Sequence, residues 1–218
     1  MRKITAFIFD LDGVITDTSE FHYQAWQRLA DEEGIPFSRA ENEKLRGVSR
    51  RESLNLMLKG RVISEETAQA WMERKNRYYI DLVKTLDPSG VLPGVKTLLT
   101  DLKAAGLLAA IASSSKNAPL VIEKLALGSY FDAIVDGLIV TKSKPAPDLF
   151  LRAAQELGSP AAECVVVEDA AAGIDAGKAA GMLTIGLGPQ ERIGHADLPL
   201  PDLSQTHLSD LLKQLQTK

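Results

Sequence analysis

From Val91 onward the chain alternates short apolar runs with stretches of helical periodicity, and few folds satisfy that alternation. Leu107 to Ala112, Ala133 to Val135, Cys164 to Val167 and Leu183 to Gly186 read as strands. Val95 to Ala105, Asp148 to Leu157 and Ala170 to Ala180 read as helices, each followed by a glycine that stops it. Ala118 to Leu127 and His207 to Gln216 read as two more helices. The β-prone run Ile4 to Phe9 adds a strand at the front. Strands separated by helices predict a doubly wound, mostly parallel sheet of the Rossmann-like α/β class, with right-handed crossovers.

The segment between the first strand and Val91 has a different texture. Thr18 to Glu33, Ser49 to Leu58 and Ser64 to Leu86 have helical periodicity, and no strand is evident among them. Ser49-Arg-Arg-Glu52 is a capping box, and Ser64 before Glu65-Glu66 is a second N-cap followed by acidic first-turn residues. The pattern predicts an α/β core built from residues 1–15 and 93–218, with an inserted α-helical cap domain at residues 16–92. Pro88-Ser-Gly90 and Pro93-Gly94 punctuate the return to the core.

Composition narrows the function classes. The chain has 218 residues, of which 45% are hydrophobic and 25% charged, enough to bury a sizeable core. Its net charge of -4 argues against nucleic acid or an anionic membrane as partner, but not against a phosphorylated metabolite. Cys164 is the sole cysteine, so it forms no intramolecular disulfide and reads as a buried thiol. No signal-peptide pattern precedes the first strand and no apolar segment approaches a membrane span, so a cytoplasmic enzyme, monomeric by default, is expected.

Ligands of open α/β sheets bind beyond the carboxyl ends of the strands, and the residues there can be named. The first strand runs into Asp10-Leu-Asp12-Gly13, the second into Ser113-Ser-Ser-Lys-Asn117, and Cys164 to Val167 into Glu168-Asp169. Lys144-Pro145 precedes the helix before that last strand. Asp10 and Asp12 would point the same way along an extended backbone, with Gly13 turning the chain away. Taken singly, each has a plain explanation, such as an Asp-Gly turn, a polar loop or a solvated lysine. Together they put four carboxylates at one edge, where like charges repel unless a cation joins them. Mg²⁺, with its preference for hard oxygen ligands, suits that set.

The set Asp10-x-Asp12, Ser113, Lys144 and Glu168-Asp169 resembles the four motifs of the haloacid dehalogenase superfamily of phosphotransferases across the whole chain. Leu45-Arg-Gly-Val-Ser-Arg50, Arg74-Lys-Asn76, Ser113 to Asn117 and Ser143-Lys-Pro-Ala-Pro-Asp148 narrow the resemblance to the β-phosphoglucomutase family. That resemblance implies interconversion of β-D-glucose 1-phosphate and glucose 6-phosphate through β-glucose 1,6-bisphosphate. It makes Asp10 the nucleophile that forms an aspartyl-phosphate, and Asp12 the general acid and base. Asp10, the Asp12 backbone carbonyl and Asp169 would hold Mg²⁺, with Glu168 at or beside the metal. Ser113 and Lys144 would bind the transferring phosphoryl group. Gly47, Val48, Ser49, Arg50, Ser114, Ser115, Lys116 and Asn117 would contact substrate, as would His22, Trp26 and Lys75.

Several of these assignments leave a second explanation open. Arg50 suits a second phosphate site in the first turn of a capped helix, but it could be a solvated helix residue, and Arg51 beside it offers a competing charge. His22 and Trp26 lie four apart on one helix face, a spacing that packing also explains, and Lys75 could be a surface lysine. Ser114 departs from the family, which more often has alanine there. His195 and His207 fall outside every motif. A sugar-phosphate phosphatase of the same superfamily is the alternative activity, and a non-catalytic sugar-phosphate sensor is a third reading.

Overall fold

The computed structural model describes residues 3–139 and 142–217. Its centre is a six-stranded sheet of β1 (Ala6–Phe9), β2 (Leu108–Ala112), β3 (Ala133–Val135), β4 (Cys164–Glu168), β5 (Leu183–Leu187) and β6 (Leu198–Leu200). All pairs are parallel and the spatial order is β3-β2-β1-β4-β5-β6, so the strand order reverses at β1. A ligand crevice is expected at such a switch point.

Period-2 alternation sorts the strand residues onto two covered faces. Phe7, Phe9, Ile111, Val165 and Val167 pack with α5 (Val95–Ala104), α6 (Ala118–Lys124) and α10 (Leu208–Leu215). Ala6, Ile8, Ala110, Ala112 and Val166 pack on the other face with α7 (Asp148–Glu156) and α8 (Ala171–Ala179). Phe9 is level with Ile111 and with Val167. The next residues on the two central strands are therefore Asp10 and Glu168. By parity both belong to the face that α7 covers.

Between β1 and α5 the chain forms four helices, α1 (Ser19–Glu32), α2 (Arg39–Asn42), α3 (Arg50–Leu58) and α4 (Glu65–Val83). The expected caps close α3 and α4: Ser49 Oγ accepts from the Glu52 amide at 3.2 Å and Ser64 Oγ from Thr67 at 3.1 Å. Trp26, Leu29, Leu54, Met57, Trp71 and Met72 form a separate apolar cluster within this insertion. Ala25, Tyr79 and Val83 instead join the sheet's core, rooting α1 and α4 in it. Strand β6 and the helices α2 and α9 (Gln190–Ile193) are additions to the expected elements, and α4 and α6 end three residues short of their expected limits. No helix among the described residues is long and apolar enough to cross a membrane.

Two leucines gauge how much the packing contributes. Leu102 on α5 is fully buried, whereas Leu151 on α7 is 42% exposed. Leu102→Ala is expected to cost about 2–5 kcal/mol, and Leu151→Ala about 0.5 kcal/mol or less, by urea denaturation.

Candidate active site

Lys144 reaches the end of the sheet from the loop before α7, with its side chain fully buried over the Phe150 ring. Its ammonium donates to Asp10 Oδ1, to Glu168 Oε1 at 2.5 Å and to the Ala112 carbonyl at 3.4 Å. Burial by itself would lower the Lys144 pKa, but the two carboxylates outweigh it and hold the ammonium above its ordinary range. The other Asp10 oxygen accepts from the Asp12 amide at 3.1 Å, and Glu168 Oε2 accepts from the Ala170 amide at 2.8 Å.

The two aspartates of the opening motif do not share their partners. The chain turns after Asp10, with Ile15 N donating to Leu11 O at 2.9 Å, and the extended path expected through Asp12 ends there. Asp12 therefore faces a different set of groups. Thr18 donates its hydroxyl to Asp12 Oδ1, and His22 Nε2 lies 3.6 Å from Oδ2. Gly13 makes the turn possible at φ 81°, where a Cβ would come within 2.3 Å of Asp169 Oδ2. Burial, reinforced by the Asp10 charge, pushes the Asp12 carboxyl from 3.8 up to about 7.

Asp10, Glu168 and Asp169 each present a carboxylate oxygen, all within 4.8 Å of one another. This donor set is hard oxygen only and fits a small divalent cation. The Asp12 side chain accepts from Thr18 and faces His22 outside this group, which leaves its backbone carbonyl as the group it could offer. Burial first, then Asp10, raises the Asp169 pKa, while Arg46 and Arg192 oppose the rise. Arg46 Nη1 is 3.0 Å from Asp169 Oδ2.

A cleft opens above these carboxylates, walled by polar and charged side chains from both the sheet edge and the insertion. Of the expected residues, Asp10, Asp12, His22, Trp26, Gly47, Val48, Arg50, Lys75, Ser113, Ser114, Ser115, Lys116 and Asp169 line it. Lys144 and Glu168 are buried and linked to Asp10, Ser49 caps α3, and Asn117 donates its side-chain amide to Asn76 Oδ1 at 2.8 Å. The same Asn76 oxygen accepts from Arg50 Nη2 at 2.8 Å. Arg51 pairs with Glu65 and is not part of the wall, so helix phase separates the two arginines. Ser114, the departure from the family pattern, donates to Gly47 O at 3.0 Å and so ties the insertion to the sheet.

Lys75 is buried, with its ammonium 2.7 Å from His22 Nδ1 and 4.9 Å from the centre of the Trp26 ring. Burial and the Arg50 charge push its pKa well below the ordinary lysine range, and burial and Lys75 do the same to His22. A neutral His22 accepting from Lys75 at Nδ1 carries its proton on Nε2, facing Asp12; the tautomer follows from the network.

Ser19, Asn42, Leu45, Arg46 and Ser53 also line the cleft and were not singled out from the sequence as substrate residues. Ser53 follows Arg50 by three on one helix face, and Arg46 lies inside a quoted motif, so both carried a signal. Asn42 closes the four-residue helix α2 and carried none.

A family model for haloacid dehalogenase-like hydrolases matches residues 4–181. A β-phosphoglucomutase of Bacillus subtilis is 45% identical over 207 residues, covering 93% of this chain and 92% of the relative. A phosphorylated carbohydrates phosphatase of Thermotoga maritima is 31% identical over 182 residues, covering 81% and 82%. The crystal structure of a β-phosphoglucomutase from Clostridium difficile superposes with a TM-score of 0.96 at 38% identity, covering 98% of both chains.

The raised Asp12 pKa has a signed consequence for stability. Between pH 3.8 and about 7 the folded chain keeps Asp12 protonated while the unfolded chain ionises it. Its contribution to stability therefore falls as pH rises through that window and stays low above it. In chelator, Asp12→Asn is expected to gain stability over the parent as pH rises from about 4 to about 7. Paired thermal melts across that range measure it, and parallel curves would contradict it.

Proposed function

The chain belongs to the haloacid dehalogenase-like hydrolase family, and we propose that it acts as a β-phosphoglucomutase. The reaction interconverts β-D-glucose 1-phosphate and D-glucose 6-phosphate through β-glucose 1,6-bisphosphate and an aspartyl-phosphate on Asp10. One observation carries the proposal over simple hydrolysis. The cleft that holds Asp10 and Asp12 is also lined by Arg50 and Lys116, cationic groups beyond the Lys144 ammonium that already serves the Asp10 phosphate site. A mutase must bind the phosphate that is not reacting, and Arg50, preset by Asn76, is suited to do so.

The chemistry divides between the two aspartates. An Asp10 oxygen attacks phosphorus as the bond from phosphorus to the sugar oxygen breaks, and Asp12 delivers a proton to the departing oxygen. In the second half-reaction Asp12 takes the proton from the attacking sugar hydroxyl and the phosphoryl group leaves Asp10. A pKa of about 7 suits a group that must both give and accept a proton near neutrality. Thr18 and His22 orient that carboxyl. Lys144 and Ser113 meet the phosphoryl oxygens, where the ammonium offsets negative charge as transfer proceeds. Asp10, the Asp12 carbonyl, Glu168 and Asp169 would hold Mg²⁺, which would supply further charge neutralisation there.

In this reading residues 16–92 are a cap domain that closes over the core of residues 1–15 and 93–218. Closure excludes water and protects the aspartyl-phosphate from hydrolysis. Sugar phosphates are the small-molecule partners, and the enzyme works as a cytoplasmic monomer.

The test is turnover of β-glucose 1-phosphate with Mg²⁺ and catalytic bisphosphate, beside the α-anomer and a generic phosphate ester. Arg50→Ala is expected to lower mutase flux about 10- to 100-fold, the loss of one charge-assisted phosphate contact, while ester hydrolysis persists. Asp10→Asn is expected to abolish both activities. A parent enzyme that only releases inorganic phosphate would refute the mutase reading.

A further inference from the structure

Arg192 lies outside every motif, on the four-residue helix α9 after β5, yet it touches both the carboxylate cluster and the helical insertion. Its Nε donates to the backbone carbonyl of Asp169 at 2.7 Å. One terminal nitrogen lies 3.8 Å from Asp169 Oδ2, and the other 3.8 Å from Glu43 Oε2 on the insertion. Glu43 in turn holds Arg46 at 2.8 Å, and Arg46 returns to Asp169 Oδ2 at 3.0 Å. Four side chains of alternating charge thus close a ring, two from the insertion and two from the sheet side.

The ring is built in. Arg192 is only 29% exposed, and its guanidinium occupies the space beside Gly188, where a Cβ would meet Nη2 at 2.6 Å. A guanidinium spreads its donors over three nitrogens in one rigid plane, so Arg192 meets a backbone carbonyl, a carboxylate on its own body and a carboxylate on the facing body each from a different atom.

We propose that Arg192 is a positioning residue that fixes the Asp169 loop and fastens the insertion over it through Glu43. The inference rests on reading residues 16–92 as a closing cap. Asp169 is then held in place from both sides when the cap is seated, and only its backbone and side-chain contacts to Arg192 survive when the cap lifts. Closure and the geometry of the carboxylate cluster become one event.

The test needs no substrate. Cys164 is buried, so spin labels at Val62→Cys on the insertion and Leu151→Cys on α7 report the separation of the two bodies in the full chain. Arg192→Gln and Glu43→Gln are each expected to shift the closed-to-open ratio by about threefold, in line with partly exposed pairs. The double variant is expected to shift it no further than either single one, because both break the same ring. Raising the salt to about 1 M, where screening acts within about 3 Å, is expected to reproduce the shift in the parent and to act less on the double variant, where Arg46 and Asp169 are the pair of the ring that still joins the two bodies. In turnover, Arg192→Gln is expected to increase phosphate release relative to transfer by a similar factor.

Unchanged distances in both single variants, or additive shifts in the double, would overturn the inference. Should Arg192→Gln fail to fold, Glu43→Gln and the salt series decide alone, since Glu43 is 54% exposed. The distance result stands whether or not the chain proves to be a mutase.

Discussion

The buried ammonium of Lys144 between Asp10 and Glu168 is the interaction on which the rest of this structure depends. Three buried carboxylates at the carboxyl edge of a sheet repel, and each loses hydration that only opposite charge can replace. The sheet makes this arrangement unavoidable, because parallel register levels β1 with β4 and side-chain parity turns Asp10 and Glu168 to one face. Lys144 enters that face from the loop ahead of α7 and answers both. Asp169 lies just beyond its reach and is answered from elsewhere, by Arg46 of the insertion and Arg192 after β5. Compensation from three separate segments binds the loops around the site into one electrostatic unit.

That unit explains how two aspartates one residue apart come to differ. Asp10 is held by an ammonium and an amide, each on a different carboxylate oxygen. Asp12 has turned toward a threonine hydroxyl and a histidine that burial keeps neutral, and after burial the Asp10 charge does most to raise its pKa. In the proposed reaction these different settings suit Asp10 to the role of nucleophile and Asp12 to that of proton carrier. The pair Lys75 and His22 belongs to the same economy. Both are driven toward neutrality by burial and by neighbouring positive charge, so the His22 ring that faces Asp12 at 3.6 Å does so uncharged and not as a full ion-pair partner.

Much of this was legible along the chain because its causes are local. Gly106, Gly158 and Gly181 closed helices, Ser49 and Ser64 opened them, and the alternation of apolar runs announced the sheet. Strand β6 escaped because it is three residues long with Pro199 at its centre, a composition tolerated only at a sheet edge, where it lies. Helix α2 and Asn42 escaped because four residues are too few to establish a period. Arg50 and Arg51 are equivalent as letters, and only the phase of α3 aims one at the cleft and the other at Glu65.

Residue order alone established the alternating α/β core, the helical insertion after the first strand, and the identity of the groups gathered at the strand ends. Periodicity, capping and turn chemistry act over a few residues, and a chain carries them openly. Tertiary structure alone decided which charges share a space: Lys144 with Asp10 across 134 residues, and Arg46 with Asp169 across 123. It also sent Asp12 away from the carboxylates that Asp10 joins, and brought Arg192 to a site no motif mentions. Electrostatic energy depends on distance through space and on the water excluded there, and neither is written in the separation of residues along the chain.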